Sequence, residues 1–373
     1  MAKKLMGIVA LENDNVIVEG LMDYRPAPAI SFLGRYRLID FVVSNMTNSG
    51  ISDIKVFVKK QPRSLIEHLG TGSQYNINSK RGKLQILYDE QTNLSTIYNN
   101  DINGYIQNME FIENNKAEYV VVTPGYAVYS LDYNLVLEEH IKTKADITIV
   151  YKSVDYANEN FIGCPCLTIE NQQIKRIEQN LGQTKRRNIS METYVMSKEV
   201  FIKMVNDAHT TSALFTLRDM IRAKLMHDEI VAKGYQYHGY FACINSLDAY
   251  YKASMELIDH NKSKNLFKDD WPIFTKTNDS IPASYGKDAK VKHCLIANGC
   301  KIEGELENCV LGRGVIVEKG CVIKNSILLP ESYFAKDCHV EYTVADKWAN
   351  VSKIKEIHGN KDNIMYIRRR DKI

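Results

Sequence analysis

The sequence predicts an α/β domain with a Rossmann-like mixed sheet, followed by a left-handed parallel β-helix. Two observations carry this. Over residues 1 to about 240, short apolar runs alternate with amphipathic helical stretches, the pattern of strands and helices layered on one sheet. From Tyr285 onward, apolar residues recur at a six-residue spacing, and a hexapeptide period marks a left-handed β-helix. Between the two, Asp269 to Ser284 holds Pro272 and Pro282 and no clear period, so it reads as a linker. The expected division is 1–265 for the first domain, 266–285 for the linker and 286–373 for the β-helix.

The first strand is the apolar run at 5–11, LMGIVAL, suited to burial on both faces. An apolar segment at Val42 to Met46 stops at Asn48-Ser49-Gly50, where glycine suits a helix C-terminus. A second strand, Ile54 to Val58, follows at once. Strand, helix and strand form a βαβ unit whose ligand sits beyond the carboxyl end of the first strand. Helices are expected from Ile102 to Asn114, from Leu135 to Lys142, at Leu217 to Met226 and at Ser246 to Asn261. Strands are expected at Tyr119 to Thr123 and Ala145 to Tyr151, and a hairpin turn at Glu170 to Lys175.

In the last quarter, six-residue steps connect Ile296 with Ile302. After a three-residue shift they run through Leu311, Val317, Ile323, Leu329 and Ala335. Each six-residue face gives one apolar side chain to a prism-shaped core.

Composition excludes several classes of function. A net charge of +3 with 25% charged residues is that of an ordinary soluble protein, and no nucleic-acid partner is expected. Arg368 to Arg370 is too short a run to read as more than a solvated tail. No apolar run reaches 18 residues and no signal-peptide pattern is present, so no membrane partner is expected and the predicted compartment is the cytoplasm. The eight cysteines contain no C-x-x-C pair; buried free thiols in a reducing compartment are expected.

The loop after the first strand is Glu12-Asn13-Asp14-Asn15-Val16-Ile17. It has neither the glycines nor the cation that a phosphate cradle needs. Yet the segment that follows is distinctive. Arg25, Pro28, Ala29, Phe32, Gly34, Tyr36, Arg37, Ile39, Asp40, Phe41, Ser44, Asn45, Asn48, Ser49, Gly50 and Ile51 fit the pattern R-A-K-P-A, F-G-G-K-Y-R-I-I-D-F, S-N-x-x-N-S-G-I. In this the chain resembles the ADP-glucose pyrophosphorylases (glucose-1-phosphate adenylyltransferases). The resemblance runs from about Leu5 to Val351 and implies a nucleotidyltransferase-like domain followed by a β-helix.

The same resemblance shows what is missing. The family's glycine-rich loop falls on Glu12 to Ile17, and its K-P lysine on Ala27. The G-D-H motif falls on Gly125-Tyr126-Ala127, so a metal aspartate has become tyrosine. The second metal aspartate has become Cys243. A phenol and a neutral thiol are poor ligands for Mg²⁺, so no Mg²⁺ is expected at the family site. The sugar-phosphate motif E-K-P appears as Glu178-Gln179-Asn180, and S-M-G as Ser190-Met191-Glu192. Glu178 and Ser190 are therefore either remnants of a sugar-phosphate site or ordinary surface and hairpin residues. Glu12, Asp14 and Glu192 add negative charge near a phosphate site, which would repel the ligand.

Joint loss of loop, lysines and metal carboxylates, on an intact scaffold, implies a non-catalytic regulatory subunit of the GlgD type. Such a subunit would assemble with its catalytic homologue as a hetero-oligomer, expected to be a tetramer. Effector and subunit contacts in the family involve basic residues at positions matching Arg25, Arg35, Arg37 and Lys347, and Lys59, Lys60 and Arg63 form a second basic cluster. An anionic sugar phosphate is the expected effector. Arg37 with Asp40 can equally be a structural salt bridge. The competing reading is a weakly active nucleotidyltransferase that uses Asp14, Asp101 or Asp132 as substitute metal ligands.

Overall fold

A computed structural model describes residues 5–10, 16–58, 61–77, 82–88 and 101–373. The first domain is built on one nine-stranded mixed sheet. Its strands are β1 (Leu5–Ala10), β2 (Asp53–Val58), β3 (Lys83–Tyr88), β4 (Tyr119–Pro124), β5 (Ile147–Val154), β6 (Pro165–Glu170), β7 (Gln173–Gln179), β8 (Arg187–Ser197) and β9 (Ala232–Gln236). Their order in space is β3-β2-β1-β4-β8-β5-β9-β7-β6. β1 is parallel to both β2 and β4, while β8 runs antiparallel to β4 and β5. The order therefore reverses between β1 and β4, which places a crevice beyond their carboxyl ends.

The apolar runs behave as strands buried on both sides. Met6, Ile8, Val120 and Val122 face one core; Val9, Val121 and Val195 face another. The second core is covered by helix α1 (Leu38–Asn48), of which every residue from Leu38 to Met46 is buried. Its start is fixed by Asp40, whose side chain accepts from the Arg37 backbone N–H at 2.8 Å. Gly50 ends the segment in the left-handed region at φ +76, as the Asn-Ser-Gly stop predicts.

Further helices of this domain are α2 (Arg63–Leu69), α3 (Asp101–Gln107), α4 (Tyr133–Thr143), α5 (Lys198–Thr211), α6 (Leu217–Met226) and α7 (Leu247–Glu256). The helix expected from Ile102 to Asn114 is broken at Asn108 into α3 and a short helix at Met109–Glu113. α5 was not read from the sequence. The helix expected to reach Asn261 ends at Glu256, and Asp259 caps a separate turn at His260–Ser263. Among the described residues no helix is long and apolar enough to cross a membrane.

Residues 271–276 lie as a strap along α1. Trp271 Nε1 donates to Asn45 Oδ1 at 2.8 Å, Asn48 Nδ2 donates to the Pro272 carbonyl at 2.9 Å, and Phe274 N donates to Ser44 Oγ at 2.8 Å. Asn45 also donates to the Tyr129 carbonyl and accepts from Leu131 N, and Ser49 Oγ accepts from Tyr133 N. The best-kept signature residues are thus structural joints.

The C-terminal region consists of coils stacked in parallel register, the arrangement of a β-helix. The strict six-residue period does not hold. Lys290 pairs with Glu305, a step of 15, and Glu305 pairs with Val322, which pairs with His339, steps of 17. A 17-residue coil slips one residue against three hexads. The interior stack is therefore Leu311, Leu328 and Ala345, while Leu329 turns out to pack against the first domain. Likewise Phe334, not Ala335, stacks inside on Val317.

Successive coils turn a corner at one residue with positive φ: His293, Asn308 and Asn325 inside long strands and Tyr342 between two short ones, between +47° and +51°. Asparagine tolerates this conformation better than most residues, and Asn308 Nδ2 donates to Asn325 Oδ1 at 3.1 Å. The free-thiol expectation fails at one pair. Cys321 and Cys338, on successive coils with Cα atoms 4.5 Å apart, are joined as a disulfide.

The domains meet through an apolar cluster that includes Leu33, Tyr250, Tyr251, Val310, Ile327 and Leu329. Gly34 is in the left-handed region, and a Cβ there would lie 2.4 Å from the Leu311 carbonyl oxygen. Only glycine allows that approach.

Candidate functional site: the sheet-end crevice and an interdomain basic cluster

The crevice beyond β1 and β4 is where nucleotidyl chemistry would occur. Pro28 closes over Gly125 at the end of β4, and a Cβ on Gly125 would meet Pro28 Cγ at 2.8 Å. The next residue, Tyr126, is 1% exposed and its phenol donates to Glu192 Oε1 at 3.2 Å. Glu192 sits in a bulge of β8, where the register shifts between Ser190 and Thr193. Its other oxygen pairs with Arg218 Nη1 at 3.4 Å. Cys243 lies on the same side, hydrogen-bonded to Cys164 and within the field of Glu192.

The electrostatics follow from burial. Tyr126 is held protonated, first by desolvation and then by the Glu192 carboxylate. Cys243 is pushed well above the ordinary thiol range by its bond with Cys164, by burial and by Glu192. Desolvation is the largest single influence on Arg218 and opposes its charge, but Glu192, Tyr194, Tyr126 and Asp219 together raise the guanidinium overall. The centre is thus a neutral phenol, the neutral Cys243 thiol and one internal ion pair. Mg²⁺ requires several hard, charged oxygens in octahedral geometry. The single carboxylate of this group is already shared between Tyr126 and Arg218, so the described residues do not fit the ion.

The sequence reading of Glu192 as a repulsive charge is therefore corrected: Arg218 neutralises it. Arg218 itself was missed. Glu192 adopts φ +50, the left-handed region that favours glycine, at the position where the family pattern has glycine. Ser190 is buried and its hydroxyl accepts from Glu192 N at 3.2 Å, within the bulge. Glu178 pairs with Arg187 at 3.5 Å and lines a cavity of about 200 Å³ with Gln179, Arg218 and Arg222.

Two of the three substitute carboxylates have other work. Asp132 accepts from Asn134 N at 2.9 Å and caps α4. Asp101 accepts from Leu217 N at 3.2 Å at the start of α6, and burial raises its carboxyl to about 7. Asp14, with Glu12, lies outside the described residues.

The basic residues expected to hold an effector converge in part. Arg25 Nη2 donates to both oxygens of Asp346, at 2.7 and 2.5 Å, across 321 residues of sequence. Asp346 also accepts from Tyr366 OH at 3.0 Å and from Lys347 N at 2.6 Å. Lys347 is driven down to about 7 by burial, then by Arg37 and Arg25. Arg369 stacks between Tyr24 and Trp348, at 5.3 and 4.7 Å from their ring centres. Two buried nitrogens in this cluster, Arg25 Nη1 and Arg369 Nε, have no hydrogen-bond partner. Arg25, Lys347 and Arg369 thus surround one central carboxylate, with Arg37 close enough to act on Lys347 and Arg25, and with uncompensated donors that suit an anion.

Arg37 does not make the expected direct salt bridge with Asp40. Its guanidinium donates to the Ser64 carbonyl, while Asp40 binds His68 Nε2 at 2.6 Å and Tyr75 OH at 2.5 Å. Arg35 stands apart, in a neighbouring interdomain cavity of about 520 Å³ that Arg313 also lines. Lys59 and Lys60 lie outside the described residues, and Arg63 is an exposed partner of Glu67.

Comparison with known proteins agrees with this architecture. The nucleotidyl transferase family matches residues 20–260, and the GlmU-like C-terminal hexapeptide family matches residues 280–364. A glucose-1-phosphate adenylyltransferase of Clostridium perfringens (strain SM101 / Type A) is 31% identical over 82% of this chain and 79% of its own length. The glycogen biosynthesis protein GlgD of Bacillus subtilis (strain 168) is 28% identical over 98% of this chain and 96% of its own length. The GlgD protein of Geobacillus stearothermophilus is 30% identical over 87% and 84%, respectively. With a nucleotidyl transferase domain, a hexapeptide region and these relatives, the chain belongs to the glucose-1-phosphate adenylyltransferase family.

Proposed function

We propose that this chain is a regulatory, catalytically inactive subunit of glucose-1-phosphate adenylyltransferase in bacterial glycogen biosynthesis. It would act by assembling with the catalytic homologue, as a hetero-oligomer of tetramer type, and by shifting the rate or effector response of that partner. The observation that supports this reading is the Glu192 pairing: Tyr126 and Cys243 stand where the family pattern has its metal carboxylates, and Glu192 is tied to Arg218 and Tyr126. The GlgD names of two relatives that cover most of the chain support it. A β-helix of left hand, the hand that hexapeptide repeats favour, belongs to the same reading.

Regulation would run through the interdomain cluster. An anionic effector such as a sugar phosphate would bind Arg25, Arg37 and Lys347, with Arg369 over it. Because Arg25 and Asp346 come from different domains, such a ligand would bias the junction and through it the partner's contacts, the two-state coupling that allostery needs. Glu178 and Ser190 would then be remnants of a sugar-phosphate site, now used for an exposed ion pair and a bulge.

ADP-glucose synthesis from ATP and glucose 1-phosphate with Mg²⁺ tests this, for the chain alone, the catalytic homologue alone and both co-expressed. Silence alone with an altered rate or effector response in the mixture is the expected result. Turnover by the purified chain that is lost on Asp14→Asn would overturn it in favour of the weak-enzyme reading.

A further inference from the structure

The β-helix carries a ladder of short donors just after its left-handed corners. Cys294, Cys309, Ser326 and Thr343 each follow a corner residue, and each donates to the carbonyl two residues earlier. The acceptors are Lys292, Glu307, Lys324 and Glu341, at 3.2, 3.2, 2.6 and 3.0 Å. A hydroxyl meets this need as well as a thiol does. Yet the first two rungs, and only those of the four, are cysteines in direct parallel register with each other.

Three features set this pair apart. Cys294 is partly exposed on β-helix strand Lys290–Ile296, which pairs on one side only, whereas Cys309 is fully buried beneath it. The neighbouring Cys309 lowers the pKa of the Cys294 thiol against the effect of burial. The bridged pair Cys321 and Cys338 already spans two coils at a Cα separation of 4.5 Å. Neighbouring parallel strands lie about 4.8 Å apart, within the span a disulfide accepts.

We propose that Cys294 and Cys309 form a thiol-modification site that reacts with low-molecular-weight disulfides and closes to an intramolecular disulfide. The Cys294 thiolate attacks one sulfur of the disulfide R–S–S–R, forms a mixed disulfide and expels RS⁻, which takes up the proton lost from Cys294. Cys309 then attacks the Cys294 sulfur, releases the second thiol and completes the bridge. The protein dithiol is oxidised and the small disulfide is reduced to two thiols. Exposure selects Cys294 as the attacking group, and its buried neighbour is the resolving one. The product staples the edge strand of the β-helix to the next coil. That strand supplies Leu295 and Ile296 to the wall of the interdomain cavity.

The test uses full-length protein treated with glutathione disulfide, then digestion under non-reducing conditions and mass spectrometry. Wild type should yield the Cys294–Cys309 linked peptide without retained glutathione. Cys309→Ser keeps the ladder donor but removes the resolving thiol, so it should hold glutathione on Cys294; Cys294→Ser should do neither. Hydrogen exchange at residues 290–296 should slow on oxidation of the wild type and stay unchanged in Cys309→Ser. Wild type that retains glutathione on Cys294, leaves both thiols free, or exchanges at the same rate after oxidation would overturn the proposal.

Discussion

Replacing Arg25 by methionine keeps most of the side chain's apolar volume and removes its charge. Asp346 is 0% exposed and Arg25 4%, so the substitution strands a carboxylate away from water. Breaking one side of a buried pair is worth about 3–5 kcal/mol. Asp346 keeps the Tyr366 hydroxyl and the Lys347 N–H, which places Arg25→Met near the lower end, about 3 kcal/mol. Asp346→Leu should destabilise at least as much, because it leaves Arg25 among Arg37, Lys347 and Arg369 with no carboxylate. The double variant removes both charges and should fall short of the sum by at least about 2 kcal/mol. Urea unfolding read by fluorescence measures this. The chain has two tryptophans, and a Trp271→Phe background leaves Trp348, at the junction, as the reporter. Additive losses, or a loss below about 1 kcal/mol for Arg25→Met, would refute the view that this pair holds the domains together.

Other expectations concern the same joints. Glu192→Gly should be less destabilising than Glu192→Ala by about 1 kcal/mol in urea titrations, since glycine accepts the left-handed backbone without strain. Equal losses would mean that the bulge is relaxed. Asn45→Ala leaves Leu131 N, Trp271 Nε1 and the Tyr129 carbonyl without their partner and should cost about 3 kcal/mol in the same assay. Lys347 has a folded pKa of about 7, below its ordinary 10.5, so the unfolded chain holds this proton more tightly. Stability from this group should rise as pH climbs from about 7 toward 10.5 and be flat below 7. Lys347→Met should abolish that slope in pH-dependent unfolding. Binding of an anion at pH 8 should draw in a proton, visible by calorimetry in buffers of different ionisation enthalpy.

Much of the scaffold was legible because its signals are local. The Asn48-Ser49-Gly50 stop, the run at 119–123 and the hairpin about Asn171 each need only a few neighbours. α5 was missed because it starts at Ser197, directly where β8 ends, with no glycine or proline to mark the change. The coil length was misjudged by one residue, since Leu328-Leu329 and Phe334-Ala335 each offer two apolar candidates and periodicity cannot choose between them. Tyr126 and Cys243 were visible as departures from a pattern. The Arg218 that neutralises Glu192 was not, because it lies on α6 and only the fold brings it there. Arg25, Arg37 and Lys347 were placed by resemblance; their central partner, Asp346, is 321 residues from Arg25 and no spacing rule reaches so far.

The stacked coils also act as a ruler. The chain leaves the first domain by the strap on α1, climbs the β-helix and returns Asp346 to Arg25. Each coil adds a rise of about 4.8 Å, against contacts of 2.5 and 2.7 Å at the far end. Deleting one 17-residue coil, even with perfect stacking of the rest, would withdraw Asp346, Lys347 and Arg369 from their partners together. The number of coils between strap and return sets whether the basic cluster exists at all.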